Sequence, residues 1–213
     1  MLITDRDLLA LDPTVFLSTG AGGVATSLYS STDAGVSGST LTSAAADFAT
    51  RNITTGHVAV VNGAAVEVLS RTSGTVLEVS LPRVTKDEAA ITPGNGSSLA
   101  MNVLSFARLI GQEQTRLLRE LGADIEDPEQ PLDETAVVNA AAVGGLIAQR
   151  VIHAAFAQAA ARDPSSASLA ARALMWLGSV TRAEASLVAL IDLDGDGWPE
   201  MRRHLRAPRW VRA

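Results

Sequence analysis

The chain has no cysteine in its 213 residues. That excludes a disulfide framework, a thiolate metal site and a cysteine nucleophile. Aromatics make up only 4% of the residues, and Trp176, Trp198 and Trp210 are the three tryptophans, all near the end of the sequence. Three long helices built from so few bulky side chains would have a thin core. Histidine is scarce too. His57, His153 and His204 lie too far apart in sequence to read as a zinc site. No run of about 18 uninterrupted apolar residues occurs, so no membrane-spanning helix is expected. Residues 1–12 carry Asp5, Arg6 and Asp7 and lack the apolar core of a signal peptide. The expectation is a protein made and used inside a cell or packaged into a particle.

What is present fits a folded protein of one or two domains: 47% apolar residues, with 17 basic and 23 acidic side chains for a net charge of −6. The charge is unevenly spread. Residues 202–213 hold five arginines and no acid, leaving residues 1–201 at −11. An acidic body with a basic arm suggests docking on an acidic neighbour, and a solvated tail satisfies the same residues. Such a body would repel phosphates, so nucleic-acid binding by it is not expected.

Residues 1–12 read as a short helix, with Thr4 and Asp7 at capping-box spacing and Pro13 as the stop. Residues 18–98 are dense in Gly, Ser and Thr, with short β-branched runs at 58–61, 66–69 and 76–81. Asn62-Gly63 is a two-residue hairpin signal, and Ser73-Gly74 looks like a second. This predicts a meander of four to six strands, ended by Pro82, with a linker over 86–98. From residue 99 the apolar period turns helical. Helices are predicted over 99–121, from Asp133 to about 161, and over about 165–190. A short fourth helix opens at Trp198-Pro199 and ends near residue 205. No internal repeat is visible.

The predicted fold class is therefore mainly α with a β insertion (α+β). It comprises a bundle of three to four helices and a small β-meander or barrel-like module. The predicted division is an N-terminal helix (1–17), a β-rich module and linker (18–98), a helical bundle (99–206) and a basic C-terminal arm (207–213). Alanine and glycine at 140–145 and 154–161 give flat helix faces that allow close approach, within one chain or between copies. A monomeric bundle and an oligomer both fit them.

The sharpest motif is Asp192-Leu-Asp-Gly-Asp-Gly197. Asp192, Asp194 and Asp196 stand at positions one, three and five of a calcium-type loop, and Gly197 stands at the turn position. Glu200 falls at position nine. Arg203 occupies position twelve, where the loop needs its bidentate acid. The first reading is a helix–turn–helix linker in which Asp and Gly serve the turn geometry, with no metal and no cofactor; calcium is the alternative. No Ser, His and Asp set can be assembled, so no catalytic residue and no enzyme activity is assigned. Residues 18–23 are glycine-rich without the Lys-Ser or Lys-Thr of a phosphate loop. Arg202, Arg203, Arg206, Arg209, Trp210 and Arg212 are the candidate partner-binding residues, because Trp and Arg commonly anchor interfaces.

Three stretches resemble the head–tail adaptor (connector) proteins of long-tailed phages and phage-like gene transfer particles. They are residues 99–124, ending Arg116-Leu-Leu-Arg-Glu-Leu-Gly-Ala-Asp124; the start Asp133-Glu-Thr-Ala-Val-Val-Asn139; and Ile191-Asp-Leu-Asp-Gly-Asp-Gly197 with Arg202-Arg203 behind it. The opening Ile3-Thr-Asp-Arg-Asp-Leu8 is similar to the starts of such proteins. The resemblance covers about half the chain. It implies a structural virion protein at the neck, assembled in the host cytoplasm. There a homo-oligomeric ring, a dodecamer by resemblance, bridges the portal protein to a stopper or tail completion protein. DNA would pass through the lumen without specific contact, no membrane would be involved, and the basic arm would reach into the portal. The β-rich stretch departs from the compact adaptors. The rival expectation is a ligand- or host-binding module with a calcium-ordered Asp-rich turn.

Overall fold

The computed structural model describes residues 2–19, 23–121 and 134–205. In chain order these form α1 (Asp5–Leu11), α2 (Thr14–Thr19), β1 (Thr26–Ser37), β2 (Thr40–Thr42), β3 (Val58–Val61), β4 (Ala64–Arg71), β5 (Val76–Ser80) and β6 (Gly96–Ser105). There follow α3 (Ala107–Glu120), a 3-10 turn (Glu134–Ala136), α4 (Ala140–Arg162), α5 (Ala167–Ser186), β7 (Val188–Ile191) and β8 (Met201–His204).

The first six strands close into a barrel in the order β1-β2-β5-β4-β3-β6, with β6 antiparallel to both β1 and β3. Alternation along the strands sends Val36, Leu41, Ala59, Val61, Val66, Val68, Leu77, Val79, Met101 and Val103 into one buried cluster with Phe48 and Ile53. The β3–β4 hairpin turns on Asn62 (φ 48) and Gly63 (φ 80), the left-handed pair that a two-residue turn requires. Ser73-Gly74 does not repeat it. Residues 72–75 form a longer loop in which the Thr72 and Ser73 amides both donate to the Val76 carbonyl. The twelve-residue β1 shifts register against β6 three times, which bends it around the barrel.

The mainly helical expectation is overturned by this closed barrel. The stretch predicted as one helix over 99–121 is a strand, β6, followed by α3. Leu99, Val103, Phe106 and Ile110 fit a helical period. Leu99, Met101 and Val103 also alternate with Ala100 and Asn102, which fits a strand equally well. The open edges of β1 and β3 decide it, because β6 pairs both and leaves the barrel without an edge. The predicted linker ends inside this strand.

A second correction lies at the C-terminal end. The helix predicted to residue 190 stops at Ser186, and the helix predicted after Pro199 is β8, hairpin partner of β7. The Asn139 amide fixes β7 from the side. Its Nδ2 donates to the Val188 carbonyl at 2.8 Å, and its Oδ1 accepts from the Leu190 amide at 2.9 Å. The helix placed from Asp133 begins instead at Ala140, with Asn139 at its N-cap position. Asp133 itself and the acidic stretch 123–133 lie outside the described residues.

At the N-terminus, the Asp7 carboxylate accepts from the Thr4 amide (2.8 Å) and hydroxyl (3.0 Å), as their spacing predicts. Helix α4 is the centre of the helical layer. Its Val143, Ile147, Val151, Ile152 and Phe156 are buried, and α1, α2, α3 and α5 all pack on it. By length and composition α4 could cross a membrane, but 56% of its apolar window is buried inside the protein, as in a core helix. Arg150 is buried midway along it and donates to Glu120 and Glu184, at 2.7 Å each. Gly144 is required by close approach. A Cβ there would lie 2.9 Å from Ile3 Cγ2. Phe16 and Phe106 meet edge-on at 5.1 Å, where α2 and the start of α3 reach the barrel.

Candidate functional site

Helix α5 has two faces of different fate. Leu169, Ala173, Trp176, Val180 and Ala183 point inward onto the helical core. The Trp176 indole also donates to Asp12 Oδ2 at 3.1 Å. The opposite face carries Leu174 (69% exposed), Met175 (57%) and Leu177 (44%), set among Ala167, Ala170, Ala171, Gly178 and Ala185. Arg182 is the one charged side chain among its exposed residues. A helix that is apolar on both sides normally has neighbours on both. Sequence reasoning weighed the alanines of α4 and missed this face. Its signal was a second apolar stripe in 167–185, out of phase with the first.

The alanine and glycine faces of α4 divide in two. Gly144, Ala148, Ala155 and Ala159 are buried against the rest of this chain. Ala141 and Ala142 are exposed, and among the described residues beyond its own helix backbone Gly145 has no atom within 4 Å of where a Cβ would sit. These three border a groove of about 480 Å³ between the start of α4 and the end of α5.

The acidic motif forms the turn joining β7 to β8. Ligand oxygens of Asp192, Asp194, Asp196 and Glu200 all lie within 4.8 Å of one another. The loop amides organise them. Asp192 accepts from the Asp194, Gly195 and Gly197 amides, and Glu200 Oε2 accepts from the Leu193 amide at 2.7 Å. The Gly197 amide leads the bonds that hold the Asp192 carboxyl below the usual carboxylate range. Gly195 (φ 81) and Gly197 (φ 87) supply the left-handed positions. Four carboxylate groups at this spacing suit a hard divalent cation. Arg203, at position twelve, points elsewhere and donates to Met201 Sδ at 3.0 Å. Trp198, 75% exposed, stands on the same turn.

Of the predicted arm, Arg202 and Arg203 are exposed residues of β8. Arg206, Arg209, Trp210 and Arg212 lie outside the described residues. The histidines sit apart. His204 is exposed on β8, His153 is half-buried on α4, and His57 holds its Nδ1 3.0 Å from the Thr54 carbonyl. A small cavity of about 90 Å³ does bring Asp5, His57 and Ser105 to one place. There Asp5 Oδ1 accepts the Phe106 amide at 2.7 Å and Ser105 Oγ accepts the Ala107 amide at 3.1 Å, so both serve the first turn of α3. Burial pushes the Asp5 carboxyl up.

No protein-family model, no curated protein and no solved structure matches the chain.

Proposed function

We propose that this chain is a structural subunit that assembles with copies of itself. The assembly we propose is a ring at the neck of a phage or phage-like particle, between the portal protein and a stopper or tail completion protein. The uncovered apolar face of α5 carries the proposal. Its three large side chains stand in water in the single chain, and a neighbouring copy would remove them from it. The resemblance at 99–124, 133–139 and 191–203 supplies the neck. The barrel would then be a module outside the ring contacts, and the basic arm from Arg202 onward would dock on the portal.

The experiment is light scattering of the purified chain, followed by co-sedimentation with portal rings. The expected result is a homo-oligomer that binds portal stoichiometrically. Removing residues 202–213 should abolish portal binding and leave the oligomer intact. A chain that stays monomeric and ignores portal rings would refute the proposal.

A second reading is favoured by one observation, the convergence of Glu200 with the three aspartates. In that reading calcium orders the β7–β8 turn and the exposed Trp198 meets a ligand. At a calcium concentration 100 times Kd the fold would gain about 2.7 kcal/mol. At about 2–4 °C per kcal/mol this raises Tm by about 5–11 °C. The shift should vanish in Asp194→Ala. No shift in the wild-type chain would dismiss this reading.

A further inference from the structure

A ring of identical subunits, all facing the same way around it, imposes one requirement on each subunit. Each copy must present two different surfaces, because a patch that pairs with itself closes at two copies. Among the described residues, two apolar surfaces of the helical layer differ in this way. One is a ridge, the outer face of α5 with Leu174, Met175 and Leu177. The other is the groove walled by Ala141, Ala142 and Gly145 on one side and Ser186 and Val188 on the other. We propose that the α5 ridge of one copy seats in this groove of the next, with Gly145 at the closest approach. This rests on the assembly reading above and adds the contact that builds it.

Three observations select a second copy as the occupant. The first is volume. A cavity of about 150 Å³ accepts a benzene-sized group, so the groove of about 480 Å³ has room for about three large apolar side chains. The ridge offers three. The second is charge. Among the described residues, the groove wall has no charged residue, and the exposed face of the ridge has only Arg182. Copies of a chain at −6 repel one another, and uncharged faces are where they can meet at least cost. The third is area. Pairing ridge on ridge would use a strip about 30 Å long and about 10 Å wide, well below the roughly 800 Å² per partner of a stable interface. Ridge in groove lets each copy make the contact twice around a ring, once through each surface, where ridge on ridge makes it once.

Among the described residues, Gly111, Gly145 and Gly178 are helix glycines that no packing within the chain requires, and of these Gly145 lines the groove. A glycine inside a helix costs about 1 kcal/mol relative to alanine. Gly144 beside it is forced by Ile3, whereas the Cβ position of Gly145 faces open space. A ridge arriving from a neighbour supplies the missing reason.

The absence of cysteine makes the test clean. A Gly145→Cys/Leu174→Cys double variant of the full chain, oxidised and run without reductant, should give a ladder of dimer, trimer and higher bands. Either single variant should give none, and the two single variants mixed should give a dimer band alone. In Leu174→Glu/Met175→Glu, the concentration for half-assembly should rise at least about tenfold, with the circular dichroism spectrum unchanged. Two results would overturn the ridge-in-groove contact and leave the assembly reading standing. One is dimers from Leu174→Cys alone, which means α5 pairs with itself. The other is a wild-type oligomer whose mass is unmoved by the glutamates. A wild-type chain that is monomeric at its highest soluble concentration would overturn both.

Discussion

Replacing Glu67 by glutamine should destabilise the protein more than any exposed substitution. Glu67 lies on β4 and is 1% exposed. Its Oε2 accepts from Arg6 Nε of α1 at 3.0 Å, and its Oε1 from Arg83 Nε of the β5–β6 connection at 2.6 Å. Both guanidinium groups are about nine-tenths covered. Arg6 also donates to the Arg83 carbonyl at 3.1 Å, and Arg83 donates to the Glu88 carbonyl. One carboxylate therefore ties the N-terminal helix, the barrel wall and a long connection together. Removing it leaves the buried Arg6 with Asp7, at 3.7 Å, as its remaining carboxylate and the partly buried Arg83 without this partner, and breaking a buried pair costs about 3–5 kcal/mol. Glutamine keeps one acceptor oxygen, which places the expected loss near 3 kcal/mol. That corresponds to a Tm lowered by about 6–12 °C for a chain of this length. Urea titration followed by circular dichroism would measure it, with an unchanged slope expected for a change in stability alone. The triple variant Arg6→Met/Glu67→Leu/Arg83→Met should lose less than Glu67→Gln, because it strands no charge. A loss under about 1 kcal/mol for Glu67→Gln would refute the reasoning and mean that water reaches the pairs.

Asp5 gives the opposite sign. Asp5→Ala strands the buried Phe106 amide and should cost about 1–3 kcal/mol. Asp5→Asn keeps an acceptor and removes a buried charge, so its thermal melt at pH 7 should match or exceed wild type; equal losses in the two variants would refute the account. Gly144→Leu should drive its side chain into Ile3 and cost about 1–3 kcal/mol or more, whereas Gly145→Leu should raise the stability of the dissociated chain by up to about 1 kcal/mol through helix propensity. Acid should unfold the protein partly through Asp33, Asp47 and Asp192. Hydrogen bonds from Ser43, Thr50 and the Gly197 amide respectively are the leading causes that hold their carboxyls low. Their contribution is present above the unfolded value of about 4 and disappears as pH falls through the lower folded values. Asp5, with its carboxyl raised, runs the other way and disfavours the fold at neutral pH. A Tm that holds steady from pH 5 to pH 2 would contradict the carboxylate assignments.

Local chemistry was legible wherever a few neighbouring residues decide it. The Thr4–Asp7 cap, the Asn62-Gly63 turn and the Asp192–Gly197 turn all appear where the sequence places them, although the last joins two strands and not two helices. Each depends on backbone dihedrals and amide donors within three to five residues, and composition states those directly. The fold class was not legible. Residues 99–105 satisfy two periods at once, and only the unpaired edges of β1 and β3, about 40 to 80 residues earlier in the chain, select the strand. The segment after Pro199 has the marks of a helix start. It becomes β8 because β7 lies against Asn139 and offers an edge across a turn. The candidate surfaces divide in the same way. Sequence alone named the three aspartates and the arginines, since carboxylate spacing and charge runs are written in residue types. Only the tertiary structure decided which small and apolar helix faces stay uncovered. Gly144 and Gly145 are adjacent in sequence, yet one meets Ile3 and the other meets nothing. Burial is set by what packs from elsewhere in the chain, and a residue's own neighbourhood carries no record of it.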